Sequence, residues 1–212
     1  MLIEKKFLIL TLIRHSGKVS NMKRLLLILI LTINFQSWTK ADDIRDFEIE
    51  GISIGDSALD YFSENEIIKQ KQDYFNDKTY TDSEIFTKNN SIYYSLHVIY
   101  KTNDKNYIIE GLEGTVLYTN NVNKCYKKLD EIDEEISDLF KKTKREKKPK
   151  RKHPADKTGK STTTDIIYFF KNGDVIMLSC YDWSKEKGYA DHLRISLSTG
   201  EFDNWLNTTA FK

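Results

Sequence analysis

An apolar segment near the N-terminus constrains this chain most, because it sets where the folded part begins. Lys23 and Arg24 precede an apolar run over 25–35, and a polar stretch follows it as far as Ala41. This order is typical of a secretory signal peptide. The run is too short for a membrane-spanning helix, which needs about 20 apolar residues. We therefore expect cleavage near Ala41 and release into the periplasm or the medium. A membrane anchor through 25–35 is the alternative.

The start of this signal divides the chain. Signal peptides begin at the initiator, whereas this one begins at Met22. We predict that 1–21 is a gene-start artefact, that 22–41 is the signal peptide and that 42–212 forms a single domain. A part of this length can bury its own core. It contains 26 basic and 31 acidic residues, so its net charge is −5 although that of the whole chain is +1.

The chain has two cysteines, Cys125 and Cys180. An exported chain enters an oxidising compartment, where such a pair is expected to form a disulfide. The bond would close a loop of about 55 residues. By reducing the entropy of the unfolded chain, it would stabilise the fold by about 4 kcal/mol. Two buried thiols that act as small apolar side chains are the alternative.

Alternation of apolar and polar residues predicts most of the strands. The predicted elements are a short strand or an extended lead-in over 47–54, a hairpin over 91–118, a second hairpin over 165–181 and a strand over 191–197. Asn172-Gly173 is the preferred dipeptide of a type I′ turn and predicts the second hairpin most strongly.

Apolar residues spaced by three and four, from Val122 to Phe140, predict an amphipathic helix of about 20 residues. Shorter helices are predicted at 56–62, 63–70 and 201–206. The expected fold class is therefore α+β, with a curved antiparallel sheet of about five strands and the long helix on one of its faces.

Few side chains suggest a metal or cofactor. The outer face of the long helix is acidic, but carboxylates along a helix are typical of a solvated surface, so we predict no metal and no cofactor. His97 is predicted to be a solvated or partly packed strand residue. Tyr181, Trp183 and Tyr189 form an aromatic cluster that can bind a ligand or complete a core.

A basic segment occupies 141–160, with 11 Lys and Arg residues against Glu146 and Asp156. Such a run is typical of contact with nucleic acid or an anionic surface. Export argues against nucleic acid and leaves anionic lipid or another envelope polyanion. The predicted contact residues are Lys147, Lys148, Lys150, Arg151 and Lys152. A disordered, solvated insertion is the alternative. The stretch 154–161 lacks the first glycine of a P-loop, so nucleotide binding is not expected.

Gly55-Asp56-Ser57 resembles the first block of the GDSL family of esterases and lipases, over 52–59. The resemblance implies that Ser57 is a nucleophile and that a late histidine, here His192, is its base. The family has an aspartate three residues before that histidine, whereas here Asp191 directly precedes it. The Gly-x-Asn-Asp block of the family is also missing. Helix capping at this position is the alternative.

The signal, the segment ending at Ser57 and the helix with Cys125 also resemble small exported bacterial proteins of unknown function. That resemblance implies a location and no activity. Since the residues contain no complete catalytic set, we expect a non-catalytic envelope protein that binds a protein partner or an anionic surface. A serine hydrolase that uses Ser57 is the alternative function.

Overall fold

A single antiparallel sheet of nine strands organises residues 43–87, 91–119 and 121–212, which the computed structural model describes. The predicted signal peptide, its start at Met22 and its cleavage near Ala41 lie outside these residues. So does the possible anchor over 25–35.

The strands are β1 (Lys71–Gln72), β2 (Tyr80–Phe86), β3 (Ser95–Lys101), β4 (Gly111–Leu117), β5 (Lys144–Lys147), β6 (Arg151–Lys152), β7 (Thr162–Phe169), β8 (Val175–Asp182) and β9 (His192–Ser198). The α-helices are α1 (Glu64–Lys69), α2 (Val122–Leu139) and α3 (Gly200–Thr208), and short 3-10 helices lie at Ile44–Asp46, Ala58–Asp60 and Lys185–Lys187. The order across the sheet is β1-β2-β3-β4-β9-β8-β7-β5, and β6 also pairs with β7.

The prediction of about five strands is wrong, because the sheet has nine. The pattern does not reveal β2, since Asp82, Ser83 and Glu84 interrupt its apolar residues. The basic segment supplies β5 and β6, where disorder was an alternative. Both pair with β7 at the edge of the sheet. Lys and Arg are well suited to an edge, where their charged ends discourage further pairing.

Two local predictions also need correction. Residues 47–54 form no strand, and only an isolated bridge joins Ile49 to Ile52. The β7–β8 hairpin exists, but its turn is not type I′. Gly173 has a positive φ of 95° and Asn172 does not, whereas type I′ requires positive φ at both central residues.

One face of the sheet, here called the core face, packs against α2 and against residues 44–58. Its registered residues Val98, Leu112 and Leu197 are buried, as are Cys125 and Leu129 on α2. Burying such side chains is the main stabilising contribution to a fold.

The predicted disulfide is confirmed, because Cys125 on α2 is bonded to Cys180 on β8 with 6.0 Å between their Cα atoms. It ties the helix to β8 on the core face. A disulfide is consistent with an oxidising, extracytoplasmic location. In the described part of the chain, no helix is both long and apolar enough to cross a membrane.

Candidate functional site

The other face of the sheet, here called the open face, carries small polar side chains where a second layer would need large apolar ones. Ser95, Thr115, Ser179 and Ser196 are all buried on it. Helix α3 covers only one end, where Phe202 packs so closely on Gly111 that a Cβ there would lie 2.7 Å from the ring.

A cavity of about 1040 Å³ lies over the open face. Its floor comes from β2, β3, β4, β9 and β8. Tyr74, Phe75 and Phe211 line one side, and Trp183 and Tyr189 line the other. The exposed fractions of Tyr74 and Tyr189 are 51% and 64%, so their rings remain accessible at the rim.

A row of charged groups crosses the floor, because Glu84, His97 and Glu113 are paired in register on β2, β3 and β4. Asp82 approaches the same histidine, with 3.0 Å between its Oδ2 and Nδ1 of His97. On the other side of the ring, Nε2 lies 3.5 Å from Oε1 of Glu84. The ring of Tyr74 lies beside it, at 6.2 Å between centroids.

The prediction that His97 is solvated or partly packed is wrong, because it is buried. Burial opposes a charge on the ring, but the hydrogen bonds to Asp82 and Glu84 outweigh it and raise the pKa of His97 to about 10. Burial raises the pKa of Asp82, and its hydrogen bond with His97 opposes that change. The hydrogen bond with His97 lowers the pKa of Glu84. His97 is therefore a cation held by two carboxylates at neutral pH, and it is not available as a general base.

Arg194 on β9 brings the second positive charge to the floor. Its Nη1 lies 3.4 Å from Oε2 of Glu113, and its guanidinium carbon lies 5.2 Å from the ring centroid of Tyr181. Such a cation over an aromatic face is favourable. Nε of Arg194 is buried and has no hydrogen-bond partner among the described residues.

An aromatic wall rises beside Arg194. The ring of His192 stacks on Tyr181 at 4.5 Å between centroids, and Trp183 contacts Tyr189 edge to face at 4.9 Å. Nδ1 of His192 bonds the carbonyl oxygen of Ala190 at 3.0 Å. Burial lowers the pKa of His192 to about 4, so the ring is neutral at pH 7. Its Nδ1 then carries the proton, and Nε2 is an acceptor.

Two atoms of this wall have no partner. Neither Nε2 of His192 nor Nε1 of Trp183 has a hydrogen-bond partner within the residues described by the structure, and both atoms are buried. Together with Nε of Arg194, the lining side chains thus hold two unpaired donors and one unpaired acceptor. Because all three atoms are buried, a molecule in the cavity reaches them only if these side chains move.

The sequence pointed to only part of this site. It identified the aromatic cluster of Tyr181, Trp183 and Tyr189. It did not identify Asp82, Glu84, Glu113 or Arg194, because polar residues that alternate along a strand are expected to face water. The only available signal was that acidic, basic and histidine residues recur on the same face of neighbouring strands.

The structure does not bring Ser57 and His192 into contact. The hydroxyl of Ser57 donates to the carbonyl oxygen of Asn106 at 2.6 Å and accepts from the amide of Leu59, which caps the 3-10 helix. None of the described histidines forms a hydrogen bond with Ser57, whereas His192 lines the cavity. The contact between nucleophile and base that a serine hydrolase needs is not formed.

The predicted anionic-surface contacts are mostly engaged with the protein's own carboxylates. Lys147 lies 2.8 Å from Asp130, Lys150 lies 2.8 Å from Asp182, Arg151 lies 2.5 Å from Asp165, and Lys148 contacts Glu146. For Lys152 the described residues provide no ion pair. Of these four pairs, the one between Lys147 and Asp130 joins the basic segment to the acidic face of α2.

Over the described ranges, no three His, Cys, Asp or Glu side chains are placed to hold a metal ion. No protein-family model matches this chain, and neither any curated protein nor any solved structure matches it.

Proposed function

We propose that this protein binds a small molecule in the cavity over the open face. The observation that carries the proposal is a cavity of about 1040 Å³ with accessible aromatic rings at its rim and paired charged side chains on its floor. Ligand sites combine aromatic walls with a few convergent polar groups in just this way, at volumes of about 300–1,000 Å³.

The energetics support a bound molecule. A ligand that covers the exposed rings of Tyr74 and Tyr189 removes apolar surface from water, which contributes about 25 cal/mol per Å². The floor is rigid, because it is formed by paired strands, so little ordering is needed when the ligand binds.

We also infer that binding takes place outside the cytoplasm, in the periplasm or the medium. The disulfide supports this inference, as does the signal-like sequence over 22–41. The intact mass of the exported protein tests it. A chain that begins at Asp42 and carries the bond between Cys125 and Cys180 is the expected result, and retention of 25–35 would place the protein on the membrane instead.

A fragment screen tests the proposed function. In nitrogen-15 spectra, the indole N–H of Trp183 reports on the cavity. The indole N–H of Trp205 donates to Asp77 at 2.9 Å, and its ring contacts that of Phe75 at the other side of the cavity. We expect fragments that shift the Trp183 signal, and those that reach Phe75 should shift the Trp205 signal as well.

The screen has a matched pair of variants, Leu117→Trp and Leu139→Trp. Both leucines are 39% exposed, but Leu117 lines the cavity and Leu139 ends α2. Leu117→Trp should weaken binding of every cavity fragment by about tenfold or more, whereas Leu139→Trp should change it less than about twofold. Equal effects of the two variants, or no fragment that shifts Trp183, would contradict the proposed function.

The functions expected from the sequence have less support. Four of the five predicted surface cations face carboxylates of the protein itself. The serine hydrolase hypothesis lacks a histidine beside Ser57. Binding of an anionic surface stays a proposal, and the salt dependence of that binding is its test.

A further inference from the structure

The charged side chains on the floor of the cavity differ in how much of their surface a bound molecule can reach. Asp82 and His97 are buried, whereas the side chains of Glu84, Glu113 and Arg194 are 18%, 21% and 31% exposed. Two carboxylates and one guanidinium group are therefore accessible. With the buried pair included, three carboxylates accompany two cations, so the floor has a net negative charge.

The two accessible carboxylates, of Glu84 and Glu113, are held loosely by their partners in the protein. Nε2 of His97 lies 3.5 Å from the first, and Nη1 of Arg194 lies 3.4 Å from the second. Hydrogen bonds between a charged nitrogen and a carboxylate are usually shorter, at about 2.7–2.9 Å. A carboxylate can accept about four hydrogen bonds. Both groups can therefore accept further bonds from N–H groups of a ligand.

An anionic ligand fits this floor poorly. The one accessible cation is Arg194, and the carboxylate of Glu113 lies beside it, so an anion bound there is repelled at short range. On the aromatic wall, Lys187 and Asp191 supply one charge of each sign, which leaves the balance unchanged. The accessible charges therefore favour a cation.

Of the two accessible carboxylates, Glu84 suits a cation better. At Glu113, a bound cation would compete with Arg194. At Glu84, the neighbouring charge of His97 is buried and is balanced by Asp82, at 3.0 Å on the other side of the ring. The two glutamates lie on strands separated by β3, about 10 Å apart. A single ammonium group therefore bonds only one of them.

Exposed aromatic rings adjoin the same carboxylate. The hydroxyl group of Tyr74 lies 3.5 Å from Oε2 of Glu84. Tyr94 and Tyr189 also line the cavity with much of their surface exposed. The face of an aromatic ring attracts a cation, and the ring also covers the apolar part of a ligand. The rim and the floor thus match different parts of one molecule.

We propose that the ligand of this cavity is an organic cation, with its ammonium group on Glu84 beside Tyr74 and its apolar body against the exposed rings. This inference rests on the proposed function and names the ligand class of the same site.

Three probes that share a phenylethyl group and differ in charge test the inference. They are 2-phenylethylammonium, 2-phenylethanol and 3-phenylpropanoate. Each is titrated into the exported, disulfide-bonded protein, with calorimetry and the backbone amide signals of β2 as readouts. We expect the ammonium compound to bind about tenfold more tightly than the alcohol, and the propanoate to bind more weakly than the alcohol. Added salt should weaken only the binding of the ammonium compound.

Three charge-removing variants locate the ammonium group. Glu84→Gln should weaken binding of 2-phenylethylammonium by about tenfold and change that of 2-phenylethanol less than about twofold. Glu113→Gln acts from a greater distance and should weaken the ammonium compound by about threefold. Glu134→Gln is the control, because Glu134 is exposed on α2 and lies outside the cavity. It should leave every Kd unchanged, and binding of the alcohol shows that each variant is folded.

The probes also distinguish the two possible failures. If the alcohol or the propanoate binds as tightly as the ammonium compound, with an affinity that Leu117→Trp lowers, the cation inference is overturned and the proposed function stands. The same holds if other fragments bind in the cavity and the ammonium compound does not. If no probe and no fragment binds there, both are overturned.

Two further results would overturn the cation inference alone. Phenylalanine has the same ammonium group and an added carboxylate, so tighter binding of phenylalanine than of 2-phenylethylammonium would assign a zwitterion that also uses Arg194. Equal effects of Glu84→Gln and Glu134→Gln on the ammonium compound would show that its charge is not recognised at Glu84.

Discussion

The core face and the open face are built from alternate residues of the same strands, yet they have opposite chemistry. On β4, Leu112 is buried against apolar neighbours of the core face, whereas Glu113 faces the cavity and pairs with Arg194. On β3, Val98 belongs to the core face and His97 to the open face. Since successive side chains of a strand point to opposite sides, one strand serves both.

The two faces are therefore expected to have different roles, one in the stability of the fold and the other in binding. The core face holds α2, the disulfide and most of the apolar core, so changes there should act on the free energy of unfolding. The open face holds the cavity and its paired charges, so changes there should act mainly on binding. The following predictions test whether the two faces are as independent as this comparison suggests.

The largest effect on stability is expected from the disulfide. Replacing Cys125 and Cys180 by alanine together should lower the free energy of unfolding by about 4 kcal/mol, because the unfolded chain regains the freedom of a loop of about 55 residues. Urea unfolding measures the change. Where both proteins are folded, affinity for cavity ligands should be unchanged. A matching loss of affinity would show that the faces are coupled.

A truncation on each face gives the next largest contrast. Leu112→Ala should destabilise the protein by about 3 kcal/mol, because it opens a cavity in a fully buried part of the core. Ser196→Ala, which removes a hydrogen bond to Glu113 at 3.2 Å, should cost about 1 kcal/mol. Urea unfolding of both variants checks the contrast. Similar losses would mean that the open face contributes as much to stability as the core face.

The pH dependence of stability should reveal the buried charges. The pKa of His97 is raised from about 6.5 in the unfolded chain to about 10, so its contribution is complete below pH 6.5 and is lost as the pH rises toward 10. His97→Gln should remove this alkaline loss, at a cost of about 2 kcal/mol near neutral pH.

His192 should make stability depend on pH in the opposite direction. Its pKa is lowered to about 4, so its contribution is complete above pH 6.5 and is lost as the pH falls toward 4. Free energies of unfolding measured between pH 4 and pH 10 show both the alkaline loss and the acid loss of stability. If the alkaline loss persists in His97→Gln, it does not come from His97.

The smallest effect is expected at the surface. Lys147→Gln breaks the ion pair with Asp130, in which both side chains are about half exposed, so it should change stability by about 0.5 kcal/mol or less. Lys152→Gln is the matched variant without a broken ion pair. If the basic segment binds anionic vesicles, both variants should weaken that binding in low salt, and salt-insensitive binding would contradict contact through this segment.

Sequence reasoning succeeded where a pattern had one physical cause. Apolar residues every three or four positions predicted the amphipathic character of α2, and two cysteines in an exported chain predicted the bond that ties α2 to β8. It failed at β2, where Asp82 and Glu84 face a cavity. A strand is recognised in a sequence by its alternating apolar residues. Its polar residues look the same in the sequence whether they face water or line a cavity. The cavity itself depends on which strands become neighbours in the sheet. The residue pattern within a single strand does not predict its neighbours.

The position of β9 has a consequence for how the chain reaches its final form. The last strand of the chain lies between β4 and β8, so it joins two groups of strands that are otherwise separate in the sheet. A chain that stops before His192 has two half-sheets, each with an unpaired edge, and such edges promote association between molecules. Synthesis from the N-terminus therefore leaves both halves incomplete until the final residues emerge. C-terminal truncation should yield aggregation, measurable by light scattering, and a monomeric truncated chain would contradict this account.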